Sequence, residues 1–234
     1  MTGEAYAATG ARPGSSRGER PAGALPSPSA PLMLAGGCAG ALALVWCLAE
    51  LVPAIHLRDA VVLSDFTRLA GPHVNHALRS VLHLLDPSLY VLWGVALVAL
   101  ALARGRPRVA LAIALVLALA PLSAEVLKPV LSHGNAGYRG TRLGISSWPS
   151  GHATAALTLA LCAVLAVPRR WRVATAVIGA VFAGVAGAGL LILTKHMPSD
   201  VVGGYLTATM WVALAVAALR AADRRWPRRA AAAP

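Results

Sequence analysis

Six apolar blocks, each close to the length that crosses a bilayer, constrain this chain more than any other feature. They run from Leu32 to Ala49 or Ile55, Ser88 to Ala103, Val109 to Leu127, His152 to Val167, Val173 to Thr194, and Val201 to Leu219. A hydrocarbon core about 30 Å thick needs roughly 20 apolar residues in a helix. With 57 % hydrophobic residues and a mean hydropathy of +0.66, lipid rather than water is the solvent of this chain. Backbone groups in lipid must be satisfied within their own segment, so the blocks predict an all-α bundle of six transmembrane helices. The short second and fourth blocks also suit buried hairpins, but each is followed directly by an Arg cluster, as at an interfacial stop.

A formal charge of +12 would suit a nucleic-acid partner, so its distribution matters more than its size. If the N-terminus is cytoplasmic, the inner face carries Arg12, Arg17, Arg20, Arg104, Arg106, Arg108, Arg169, Arg170, Arg172, Arg220, Arg224, Arg225, Arg228 and Arg229. That is 14 of 21 basic residues. The other seven, Arg58, Arg68, Arg79, Lys128, Arg139, Arg142 and Lys195, lie in the loops that also hold the histidines. Both termini are therefore expected in the cytoplasm, in a plasma (inner) membrane. The Arg clusters serve anionic lipid headgroups, and no nucleic acid is needed to explain them.

Residues 1–30, rich in Gly, Pro, Ser, Ala and Arg without hydrophobic periodicity, read as a disordered cytoplasmic tail. Residues 31–220 form the membrane domain, and 221–234 a basic cytoplasmic tail. A cleaved signal peptide is not expected, because the first block follows the tail and is long enough to span. Cys38, Cys47 and Cys162 lie within blocks and have neither metal-type nor disulfide-type spacing, so they read as packing residues. No internal repeat is evident, and the oligomeric state is open. Gly179, Gly184, Gly187 and Gly189 permit close helix packing in the fifth block, within or between chains.

This topology turns three loops outward, His56 to Pro87, Lys128 to Gly151 and Lys195 to Asp200, and all seven histidines fall in them or at their edges. In the first loop, Val74, Leu78, Val81, Leu82 and Leu85 recur at helical spacing, predicting an interfacial amphipathic helix between spans one and two. Its His73, His76 and His83 read as solvated or headgroup-facing; admitting substrate from the lipid is the sharper alternative.

Pro149-Ser150-Gly151-His152 stands immediately before the fourth block. A chain this long would contain that string by chance about once in a thousand, so it calls for an explanation. Ser150 suits an N-cap, Gly151 lets a ligand approach the backbone, and the free N–H groups of the helix end favour phosphate. His152, in the first turn, can protonate a leaving oxygen. Further on, Lys195-His196-Met197-Pro198-Ser199-Asp200 puts Pro198 where a first helical residue belongs, His196 just outside the helix and Asp200 in its first turn. Asp200 can then reach back to one imidazole nitrogen and leave the other free to attack phosphorus. Lys128 ends the third block, with Glu125 one turn earlier as a partner. Arg139 and Arg142 follow in a loop containing Gly134, Gly137, Gly140 and Gly144; such cations suit non-bridging phosphate oxygens.

In these residues the chain resembles the type 2 phosphatidic acid phosphatase family, membrane lipid phosphate phosphatases related to vanadium haloperoxidases. The resemblance covers roughly residues 88–219: Lys128 matches the family's first motif, Pro149 to His152 its second, and His196 with Asp200 its third. It implies a metal-independent reaction without cofactors, in which His196 is the nucleophile forming a phosphohistidine, Asp200 orients it and His152 is the general acid. Lys128, Ser150 and Gly151 would hold the phosphate. Two positions depart from the pattern. Leu190 stands where the family has the third-motif Arg, and Asn135 where it has the first-motif Arg, leaving Arg139, Arg142 and Lys195 as candidate replacements. The reading is a hydrolase of a lipid phosphomonoester or pyrophosphate, on phosphatidate, phosphatidylglycerol phosphate or a polyprenyl phosphate or diphosphate. A lipid phosphotransferase with the same intermediate, and a non-catalytic lipid-phosphate-binding member, are the alternatives.

Overall fold

The computed structural model describes residues 27–131 and 148–227. Its helices are α1 (Ser29–Leu51), α2 (Pro53–Thr67), α3 (Pro72–His83), α4 (Pro87–Ala103), α5 (Pro107–Leu131), α6 (Gly151–Ala166), α7 (Arg172–Ile192) and α8 (Pro198–Arg225), with a 3₁₀ turn at Arg169–Trp171. No strand occurs among the described residues. Proline opens α2, α3, α4 and α8, where its missing N–H costs nothing and its fixed φ favours the helix.

Each of the six apolar blocks is a helix, but they differ in length. Among the described residues α1, α5, α7 with its preceding 3₁₀ turn, and α8 are long and apolar enough to cross a membrane, and α3 and α4 meet at a 53° bend. The chain is an integral membrane protein. Helix α6, with 16 residues, reaches only about 24 Å. It lies at the centre of the bundle, packed against α4, α5, α7 and α8, and buries Ala153, Thr154, Ala155, Ala156, Thr158, Leu159, Ala160, Cys162 and Ala166. These small side chains let its neighbours approach closely. A Cβ on Gly179 of α7 would stand 2.7 Å from Ala160 Cβ.

Two other glycines of the fifth block pack against helices of the same chain. Gly187 makes room for the Tyr205 hydroxyl of α8, which donates to Ala183 O, and Gly189 receives Leu78 of α3. Gly184 faces open space.

Two expectations need correction. The first outward loop contains two helices rather than one, because α2 fills most of the span before the amphipathic α3. Helix α8 continues to Arg225, so the tail expected from residue 221 begins inside a helix. The tail 1–26, the loop with Arg139 and Arg142, and the end from 228 lie outside the described residues.

Hydrogen bonds fix which helix ends lie together. Ser150 N–H donates to Asp200 O (3.0 Å), joining the starts of α6 and α8. At the opposite end of α6, Arg104 Nη1 donates to Ala166 O (2.6 Å) and Arg106 Nη1 to Leu165 O (2.9 Å). The arginines thus satisfy orphan carbonyls and complement the negative end of the helix dipole.

Candidate active site

The site is built where α6 and α8 begin. Ser150 is fully buried, and its hydroxyl oxygen accepts from Ala153 N–H (3.3 Å) while its carbonyl accepts from Thr154. This is an N-cap, and it leaves the N–H groups of Gly151 and His152 without an acceptor among the described residues. Trp148, also buried, packs on Gly203 of α8, while Gly204 lies so close to Ser150 O that an added Cβ would stand 2.6 Å from it. Two adjacent glycines on α8 therefore seat the whole Trp148 to Ser150 turn.

His196 is held by a chain reversal at the end of α7. Lys195 N–H donates to Leu190 O (2.8 Å) and Thr194 N–H to Leu191 O (3.0 Å), the paired bonds of a Schellman ending. Thr194 occupies the left-handed position with φ 55°, where glycine is usual and a β-branched residue is strained by roughly 1–2 kcal/mol. The reversal delivers His196 to the start of α8 and leaves it 7 % exposed. Asp200, 3 % exposed, accepts from Met197 N–H (3.0 Å) and lies 3.3 Å from His196 Nδ1, both through Oδ2. If Nδ1 carries the proton, Nε2 is the nitrogen that bears the in-plane lone pair.

His152 is half-buried in the first turn of α6, directly after Gly151. Lys128 pairs with Glu125 (2.5 Å), and this pair lies against Gly151: an added Cβ would meet Glu125 Oε1 at 2.5 Å and Lys128 Nζ at 3.5 Å. The space that Gly151 leaves is thus occupied by Glu125 rather than open to a ligand. Lys195 is exposed beside the site. Leu190 has no exposed surface and belongs to the apolar core, so no cation stands at that position. Among the described residues no three His, Cys, Asp or Glu side chains form a group able to hold a metal ion.

Sequence reasoning missed Asp59 of α2, which accepts from Ser199 N–H (3.1 and 3.4 Å) and Ser199 Oγ–H (2.6 Å) at the start of α8. The available signal was a lone carboxylate followed by the apolar run Ala60 to Leu63. Burial pushes its carboxyl above the usual Asp range, the Ser199 bonds oppose that, Asp200 adds to it and His56 offsets it.

Helices gather round a short central one, α6, with His152, His196 and Asp200 at one end of the bundle. The chain belongs to the PAP2 superfamily, whose profile matches residues 108–224. Among solved structures it is similar to that described as the first transmembrane PAP2 type phosphatidylglycerolphosphate phosphatase from Bacillus subtilis, with a TM-score of 0.67 and 19 % identity over 84 % of this chain and 98 % of the other. No curated protein matches the chain significantly.

Proposed function

We propose that the chain is a metal-independent lipid phosphatase that works through a phosphohistidine on His196. The observation that carries this is the buried His196–Asp200 pair beside the capped start of α6, whose first turn holds His152 and whose Ser150 N–H donates to Asp200 O. A binding protein has no physical need for an oriented nucleophile together with a separate acid.

In the first step His196 Nε2 attacks phosphorus, a P–N bond forms and the P–O bond to the lipid breaks. His152 gives its proton to the leaving oxygen, and Asp200 stabilises the imidazolium-like ring through Nδ1–H. The N–H groups of Gly151 and His152, with Lys128 and Lys195, oppose the charge on the non-bridging oxygens. In the second step His152 takes a proton from water, which attacks phosphorus and frees His196.

A lipid substrate, rather than a water-soluble one, is supported by an apolar cleft of about 300 Å³ between α4 and α7. Its floor is Leu159, Ala160 and Ala163 of α6, its walls include Trp93 and Phe182, and Leu84 stands at its end near the α3–α4 turn. His152, Leu159 and Ala163 recur at helical spacing, so one face of α6 runs from the acid to the cleft. A larger cleft of about 390 Å³ between α5 and α8 contains none of these site residues. The reading also takes the site to face outward, with phosphatidylglycerol phosphate, phosphatidate and polyprenyl phosphates as the substrate panel and the first named for the structural neighbour. The buried Leu190 favours a binding-only member as the second reading.

The test is phosphate release by purified protein across that panel. Activity should survive EDTA, fall with vanadate, which mimics phosphorus under attack, and vanish in His196→Ala. Release that requires added magnesium, or persists in His196→Ala, would refute the mechanism.

A further inference from the structure

We propose that Asp59 is a positioning residue of this site: it caps α8 from a separate helix and fixes the turn that carries His196 and Asp200. The kinetic part of this inference rests on the phosphatase reading; its chemical part does not.

The beginning of α8 has a capping box, in which Met197 and Asp200 each accept from the other's backbone N–H, but this leaves the Ser199 N–H unserved. Met197 at the N-cap offers only a weakly accepting sulfur, and Pro198 has no N–H to donate. Asp200 spends its Oδ2 on Met197 N–H and His196. The N–H of Ser199 is then the donor left at the helix end, and Asp59 takes it together with the Ser199 hydroxyl. A carboxylate accepting from a helix N-terminus gains from charge-assisted bonds and from the dipole.

The partner of Asp59 lies between the two residues that matter. Ser199 directly precedes Asp200 and follows His196 by three, so any tilt of this turn alters the 3.3 Å His196–Asp200 separation. Asp59 comes from 140 positions earlier, on a helix packed against α1, α7 and α8. Its bonds pin this outer helix to the turn. Asp59 bonds Ser199 and not the imidazole, so it acts through the turn rather than on substrate.

The experiment compares Asp59→Ala, Asp59→Asn and Ser199→Ala with wild type in two assays. In steady-state phosphate release, Asp59→Ala should lower kcat by about 10–100-fold with KM little changed, since small misplacements of reacting groups cost that much. Asp59→Asn keeps an acceptor of the same reach and should restore most of the rate, and Ser199→Ala, which keeps the N–H bond, should lie between. In the second assay diethyl pyrocarbonate modifies His196, followed by peptide mass. Modification should be several-fold faster in Asp59→Ala than in wild type or Asp59→Asn. If Asp59→Ala gives no folded protein, Asp59→Ser, too short to reach Ser199, takes its place. Wild-type kcat and wild-type His196 reactivity in the Ala or Ser variant would overturn the proposal, as would an Asn variant as impaired as Ala. If wild type and His196→Ala alike release no phosphate, the phosphatase reading falls, and the His196 modification rates alone decide the role of Asp59.

Discussion

Asp200 joins local structure to chemistry through a single oxygen, because Oδ2 both caps α8 and faces His196. Replacement by Asn keeps a carbonyl for the Met197 N–H but removes the charge that would stabilise the imidazolium and select its tautomer. Turnover should therefore fall by roughly 10²–10⁴-fold while the thermal midpoint hardly moves. Parallel loss of both would make Asp200 a structural residue only. Asp59 offers a pH test of the opposite kind. Its carboxyl is raised, chiefly by burial, so the folded protein binds a proton more readily than the unfolded chain and ionised Asp59 weighs against folding. Between the ordinary Asp pKa and the raised one, that contribution worsens as pH increases, with His56 and Asp200 as its charged neighbours. The stability of Asp59→Asn relative to wild type should thus improve from acid to neutral pH. Thermal unfolding in detergent across that range measures it, and a relative stability that declines towards neutral pH would show the Ser199 bonds outweighing burial. The geometry around Asp200 was legible in the sequence because all its parts lie within six residues. Asp59 was not, because its partner is 140 positions away and no local spacing connects them.

At the scale of elements, α6 is short, central and clamped at both ends, by Ser150 and its bond to Asp200 O on one side and by Arg104 and Arg106 on the other. The sequence located this helix and its cap from Ser150 and the apolar block. It gave the arginines only an interfacial role, since the end of α4 and the end of α6 are brought together by tertiary packing. Helix α2 escaped notice for a different reason. Ala60 and Leu63 face inward, but Ile55, Leu57, Val61 and Val62 are exposed, so its apolar residues form no single stripe. The close approach of α6 and α8 yields a paired prediction. In Gly204→Ala the new methyl would meet Ser150 O at 2.6 Å, Ala153 Cβ at 2.9 Å and Thr154 N at 3.0 Å, atoms that cannot move without shifting the cap. The variant should lose about 1–3 kcal/mol and most of its turnover. Gly184→Ala meets nothing within 4 Å and should match wild type in both. Equal behaviour of the two in unfolding and phosphate-release assays would contradict this packing.

For the whole molecule, the arginine-rich turns and the candidate site sit at opposite ends of the bundle. The α4–α5 and α6–α7 turns and the end of α8 carry Arg104, Arg106, Arg108, Arg169, Arg170, Arg172, Arg220, Arg224 and Arg225. Lys128, His152, Lys195, His196 and Asp200 occupy the other end, which Ser150 and Asp200 tie together. Arg108 further joins the start of α5 to Asp223 near the end of α8 (3.1 Å), consistent with helices that alternate in direction. Arginine-rich turns are retained on the cytoplasmic face, so the site end should face outward and the substrate should be reached from the outer leaflet. Lys195 and Arg170 are both exposed, which makes them suitable reporters of the two ends. The native cysteines make a low background, Cys38 and Cys162 being buried and Cys47 half-buried. A membrane-impermeant maleimide should label Lys195→Cys in intact cells, and Arg170→Cys only after the membrane is opened. The inverse pattern would turn the bundle over and move the phosphate chemistry to the cytoplasmic leaflet, while labelling of both in intact cells would contradict the alternation of spans itself.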